Sequence, residues 1–200
     1  MSARGAVVVV WGVGGIIAFV LLALVRIIPI GFSAYQHSFT TAQWALLWTW
    51  VPAMMWAEGY RGFHQSFSPM VAARAKYLAG NPKPLHLLLA PLFCLGFIHA
   101  TPARRRATTV LTVGIAVLVF LVRMLEQPWR GIIDLGVVMG LSIGLASMGV
   151  WTVRAFTQDG FDWSPDVPEG GQGGVEVGAL DVQYRDAPVR PPRHRRHEHR

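Results

Sequence analysis

The chain has 200 residues, of which 52% are hydrophobic and only 14% are charged, whereas soluble domains typically carry roughly 25% charged residues. The net charge is +7, but the arginines mostly border apolar segments and form no continuous basic face, so nucleic acid is not an expected partner. The single cysteine, Cys94, excludes an intrachain disulfide. The composition therefore predicts an integral membrane protein.

Five apolar blocks have the length and composition of membrane-crossing or membrane-dipping helices. They cover 5–25, 40–57, 85–101, 107–122 and 132–153. The first block is about 21 residues long, which gives about 31 Å as a helix and fits a retained signal anchor. The third block is ambiguous, because about 17 residues with a proline near the middle can either cross a thin region of bilayer or dip in and return.

A polar interval over 58–80 separates the second and third blocks. Within it, Ser68 followed by Pro69 has the form of an N-cap and a first helical residue, and Gly80 has that of a helix stop. These signals predict a short helix over 69–79. Its basic and apolar sides suggest that it lies in the plane of the membrane interface.

From residue 157 onward the chain is rich in glycine, proline, arginine and histidine, and such a segment cannot bury enough apolar surface to order itself. The sequence therefore predicts a transmembrane domain over 1–156 and a disordered tail over 157–200. The predicted fold class is an all-α integral membrane protein. It consists of a bundle of five apolar helices, four or five of them true spans, with one short interfacial helix.

Orientation depends on whether the third block, 85–101, crosses. With five crossings, seven basic residues share the side of the N-terminus and five lie opposite. If the third block does not cross, nine basic residues share the side of the N-terminus and three lie opposite. This distribution obeys the positive-inside rule far better. The leucine-rich composition of the block nevertheless favours insertion, so five spans are expected. The pattern resembles small bacterial inner-membrane proteins, with the N-terminus and the 58–84 loop in the cytoplasm.

The polar interval 58–80 also holds the side chains expected to contact membrane lipids or a partner: Glu58, Arg61, His64, Arg74 and Lys76. Cationic groups among aromatic rings suit an anionic headgroup at the interface, so a lipid-headgroup-modifying enzyme is one alternative. However, the sequence contains no nucleophile elbow, no H-E-x-x-H pair and no P-loop. No catalytic residue is therefore assigned.

The last block carries Gly136, Gly140 and Gly144 at four-residue spacing. Glycines at that period lie on one helix face and let another backbone approach closely. The motif predicts helix packing, either against a helix of the same chain or against another subunit. A homo- or hetero-oligomer through the last span is thus one expected form of the protein.

Asp134 is the only acidic residue inside a predicted span. An intramembrane carboxylate is a candidate for proton or cation handling, so a small ion or proton transporter or channel is a second alternative. Asp134 also follows Arg130 by four residues near the start of its helix, where an interfacial ion pair accounts for it equally well.

A haem- or quinone-binding protein is a third alternative, built on Trp48, Trp50, His86 and His99. The two histidines are thirteen residues apart, or about 20 Å along a helix, so each would need a second ligand such as His37 or His64 from another helix. No haem-attachment motif supports this reading, and no cofactor or metal site is predicted.

The leading expectation is a non-enzymatic accessory, scaffold or assembly subunit of the membrane. Helix packing at the glycine face, together with lipid or partner contacts from the polar interval, would provide its function.

Overall fold

The structure is a computed structural model that describes residues 3–80, 88–158, 161 and 163–167, and these residues form helices but no strand. The helices are α1 (Ala3–Ser33), a 3-10 turn (Ala34–Gln36), α2 (Thr41–Met54), a π-helical segment (Met55–Phe67), α3 (Ser68–Gly80), α4 (Ala90–Leu95), α5 (Pro102–Arg123) and α6 (Trp129–Thr157). Three of them are long and apolar enough to cross a membrane: α1 with its 3-10 turn, α5 and α6. An all-helical fold is therefore confirmed for the described residues.

α2, the π-helical segment and α3 form one helix that runs without a break from Thr41 to Gly80. A capping box fixes its start, because Gln43 N–H donates to Thr40 Oγ1 (3.4 Å) and Thr40 N–H donates to Gln43 Oε1 (2.9 Å). The polar interval 58–80, predicted as a loop and a separate helix, is thus the second half of this long helix.

Pro52 and Pro69 stand on either side of the π-helical segment. A proline inside a helix lacks an N–H, and its ring clashes with the carbonyl four residues earlier. In the wider π-helical geometry an N–H donates to the carbonyl five residues earlier. This geometry lets the helix continue past a proline despite the missing N–H and the ring clash. The Ser68 N–H donates in this manner to Phe63 O. Ser68 is helical, so its predicted role as an N-cap is wrong.

α3 lies in the interior of the bundle. Nine of its 13 residues are buried: Ser68, Pro69, Met70, Val71, Ala72, Ala73, Arg74, Ala75 and Leu78. It packs against α1, α4 and α6. A helix in the plane of the interface would instead leave a broad polar side in water. The helix predicted over 69–79 exists, but it is a core element and not an interfacial one.

The described part of the third apolar block does not form a membrane-length helix. α4 has six residues, or about 9 Å, and it ends at Gly96, whose φ of 87° is left-handed and favours glycine. The chain then turns toward the end of α6, where the Thr101 N–H donates to Asp166 O (3.1 Å). The described part of the third block therefore consists of one short helix followed by a turn.

The long elements share two common ends. α1 finishes where α6 begins, and there Gln127 Nε2 donates to Ile30 O (3.2 Å) and Ser33 Oγ (2.8 Å). α2 starts at the same end, because Leu47 packs on the first turns of α6. α4, the start of α5 and residues 163–167 gather at the other end. Four elements therefore run the length of the bundle: α1, the helix 41–80, α5 and α6.

The first residues beyond α6 pack onto the bundle. The Trp151 ring contacts the rings of Phe161 and Trp163, with centroid distances of 6.2 and 5.8 Å. The predicted boundary between the helical domain and the tail, at residue 157, is therefore too early, because Phe161 and Trp163 pack against the Trp151 indole of α6. The rest of the predicted tail lies outside the described residues.

Candidate functional site

The five predicted contact residues point in different directions. Arg61 and Lys76 are exposed; the Arg61 guanidinium lies 5.1 Å from the centre of the Trp56 ring, and Lys76 Nζ lies 5.5 Å from that of Phe161. Such cation–π contacts leave the charge accessible to an anionic ligand. The other three side chains turn toward the bundle: Glu58, His64 and Arg74. The five side chains therefore do not form one site.

Arg74 is fully buried and ties three segments together. Its Nε donates to Phe93 O (2.6 Å), its Nη2 to Ile98 O (2.7 Å) and His99 O (3.1 Å), and its Nη1 to Pro165 O (2.6 Å). The guanidinium carbon also lies 4.4 Å from the centre of the Phe93 ring. The planar fork of an arginine can bond several acceptors at once. The structure thus gives Arg74 an internal structural role in place of the expected headgroup contact.

No carboxylate forms a salt bridge with Arg74 among the described residues. The guanidinium of Arg74 nevertheless stays charged at neutral pH, because arginine is not deprotonated in proteins. Backbone carbonyl dipoles therefore take the place of a counter-ion as its hydrogen-bonding partners.

The glycine face of α6 is filled by the same chain. Each glycine accommodates one side chain of the long helix: Gly136 faces Trp50, Gly140 faces Glu58 and Gly144 faces Phe63. A Cβ at Gly140 would lie 2.7 Å from Glu58 Oε2, closer than van der Waals contact allows. Because this face is already occupied, a subunit contact has to use another surface of the molecule.

Glu58 and His64 both meet α6 near its middle. Glu58 Oε2 is buried and has no hydrogen-bond partner among the described residues. His64 Nδ1 lies 2.9 Å from Ser147 Oγ, and its ring stacks on Tyr60 with a centroid distance of 5.6 Å. A buried carboxylate without a partner is costly in its charged form. This pair of ionisable side chains is therefore a candidate for chemistry within the bundle.

Asp134 occupies a different setting, at the end of the bundle where α6 begins. Its Oδ2 lies 3.7 Å from Arg130 Nε, one helical turn earlier, and its side chain is largely buried. An acid that already faces a cation on its own helix is a weaker candidate for ion transfer than an unpaired one.

The residues suggested for a haem or quinone do not converge. Trp48 is 72% exposed, whereas the Trp50 indole turns inward and donates to a carbonyl of α6 (3.1 Å). His99 lies near the start of α5 and His37 follows the end of α1, so they stand at opposite ends; His86 lies outside the described residues. Within the described ranges, no group of three or more histidine, cysteine, aspartate or glutamate side chains could hold a metal ion.

α5 is apolar, yet it barely packs against the rest of the chain. Thr108 is its only buried residue, and 6% of its most apolar stretch is buried, compared with 56% for α6. Large apolar side chains are exposed around it: Val110, Leu111, Val113, Ile115, Val117, Leu118, Val119, Phe120 and Leu121. The sequence could not reveal this feature, because apolar spans look alike whatever surrounds them.

The described chain therefore has two surfaces with functional potential: the ionisable pair on the glycine face of α6, and the uncovered helix α5. The first is enclosed by the protein's own helices, and the second needs an apolar environment that the chain does not supply. No family model, curated protein or solved structure matches the chain.

Proposed function

We propose that the chain is a non-enzymatic multi-pass protein of the bacterial inner membrane, an accessory or assembly subunit that contacts its partner through α5. The proposal rests on one observation. α5 has the length and composition of a transmembrane helix, but almost none of its surface packs against the rest of the described chain. Transmembrane helices associate with one another through close packing and interhelical hydrogen bonds, not through a hydrophobic driving force. A span that lacks such packing within its chain is suited to a helix of another subunit.

The proposed topology has four crossings, with the segment 85–101 returning to the side from which it enters. The N-terminus, this segment and the end of α6 then share one side. Among the described residues outside the middle of the helices, six basic residues lie toward that side and three toward the other: Arg4, Lys76, Arg104, Arg105, Arg106 and Arg154 against Arg26, Arg123 and Arg130. This division follows the positive-inside rule. It supports a cytoplasmic location for the N-terminus and for the arginines at the start of α5.

Cysteine crosslinking in native membranes tests the proposed role of α5. The background is Cys94→Ala, and the probe is Gly114→Cys, since Gly114 faces open space in the middle of α5. We expect a crosslinked product between two copies or between this chain and a membrane partner. Gly149→Cys on α6 is the matched control, because it also faces open space, and it should give little product. A Gly114→Cys chain that remains monomeric at native expression levels would contradict the proposal.

Proton or cation transfer through Glu58 is a second candidate function, favoured by the unpartnered Oε2 that faces Gly140. If α6 crosses the bilayer, Glu58 lies close to its midplane, where ionisable side chains are rare and usually functional. His64, held against Ser147 (2.9 Å), would provide a second protonatable group farther along the same interface.

Flux measurements in proteoliposomes test this second function. Glu58→Gln keeps the side-chain shape but removes the titratable proton, so we expect it to lower any proton or cation flux about tenfold or more. Asp134→Asn is the control and should leave the flux unchanged, because Asp134 is paired with Arg130. Equal flux for wild type and Glu58→Gln would exclude Glu58 as the transfer group.

A further inference from the structure

A shallow, open groove of about 500 Å³ lies at the N-terminal end of α5. Its lining combines two cationic residues with small and apolar ones: Ala100, Pro102, Arg105, Arg106, Thr109 and Val110. The arginines stand at the head of the helix, and Val110 continues into the exposed apolar surface of α5. The groove therefore changes from cationic to apolar along the helix axis.

The two arginines of the groove are available to a ligand. Both are exposed, and neither forms a salt bridge with any acidic side chain in the described ranges. Arg106 Nε donates to Pro102 O (3.4 Å), which holds the side chain back over the first turn. The N-terminal end of the α5 helix dipole adds partial positive charge at the same place.

We infer that this groove binds an anionic phospholipid, whose phosphate contacts Arg105 and Arg106 and whose acyl chain lies along Val110. The charge of the groove complements a phosphodiester, and the arginine fork suits phosphate oxygens. A small soluble phosphate would leave the apolar half of the groove uncovered, whereas a lipid covers both halves. This inference rests on the proposed membrane position of α5 and assigns a specific lipid to its cytoplasmic end.

Lipid retention in nanodiscs tests the site. Wild type and the double variant Arg105→Gln/Arg106→Gln are reconstituted with a phosphatidylglycerol–phosphatidylcholine mixture, and the lipids that remain bound are measured by native mass spectrometry. We expect the double variant to retain about tenfold less phosphatidylglycerol, with no change for phosphatidylcholine. Arg123→Gln is the matched control, because it removes an exposed arginine from the opposite end of α5.

A second variant tests the apolar half without changing charge. Val110→Trp should fill the groove and also lower phosphatidylglycerol retention, while the exposed position of Val110 should spare the fold. Equal retention by wild type and both groove variants, or an equal loss in Arg123→Gln, would overturn the lipid site. Labelling of Leu111→Cys, in the Cys94→Ala background, by a water-soluble thiol reagent in the same nanodiscs shows separately whether α5 is inserted. A labelled cysteine would overturn the membrane position itself.

Discussion

Replacing Arg74 with methionine should destabilise the protein by about 3 kcal/mol or more. Methionine roughly fills the volume of the side chain but donates no hydrogen bond, so five backbone carbonyls each lose a hydrogen bond: those of Phe93, Ile98, His99, Pro165 and Asp166. These carbonyls belong to α4, to the turn after it and to the segment after α6. The change should therefore loosen one whole end of the bundle. Unfolding in detergent micelles, followed by circular dichroism, measures the loss.

Two further variants separate charge from geometry. Arg74→Lys keeps the positive charge, but a single ammonium cannot reach acceptors that surround a planar guanidinium, so most of the loss should remain. Arg61→Met is the control from the same long helix; it removes an exposed arginine whose contact with Trp56 contributes about 1 kcal/mol or less. Equal stability of Arg74→Met and Arg61→Met would show that the buried hydrogen bonds are not what secures this end.

The long helix 41–80 shows why the polar interval could not be predicted correctly. Charged residues between apolar blocks usually mark a loop, but in this helix each charged side chain is accommodated in a different way. Arg61 and Lys76 point outward, Glu58 lies against a glycine, and Arg74 uses backbone carbonyls of segments distant in sequence. Only the folded structure supplies those partners. The sequence predicts Pro69 as the first residue of a new helix, but in the structure the helix continues through it after the π-helical segment.

The third apolar block illustrates a conflict that hydropathy alone could not resolve. Its composition favours crossing, whereas the distribution of basic residues favours a segment that returns. The described part of the block forms only a short helix and a turn. The reason is local: Gly96 ends α4 in a left-handed conformation, and the following turn is held by Arg74 and Asp166. The mean hydropathy of about 17 residues does not reveal a single glycine that ends a helix. Two of the apolar blocks, at 107–122 and 132–153, lie within α5 and α6, because their long apolar runs carry no such stop.

The glycine face of α6 gives a second large expected effect: Gly144→Val should destabilise the protein by about 3 kcal/mol. The Phe63 ring lies where a Cβ would be placed at Gly144, and the ring is itself held between α6 and Phe67, whose ring centroid is 5.3 Å away. The added side chain must therefore push the π-helical segment away from α6. That movement would also draw Glu58 and His64 out of their positions.

Gly149→Val on the same helix is the matched control, because a Cβ there meets no atom within 4 Å. Valine is a better helix residue than glycine, so this change should be neutral or slightly stabilising. Adding Phe63→Ala to Gly144→Val should recover part of the lost stability, since it removes the ring that the valine displaces; two independent sites would instead show additive losses. Additive losses of stability, or similar unfolding midpoints for Gly144→Val and Gly149→Val, would mean that the glycine face of α6 tolerates added side chains. In that case the long helix would be held to α6 by contacts elsewhere, such as the hydrogen bond from the Trp50 indole to Ile133 O.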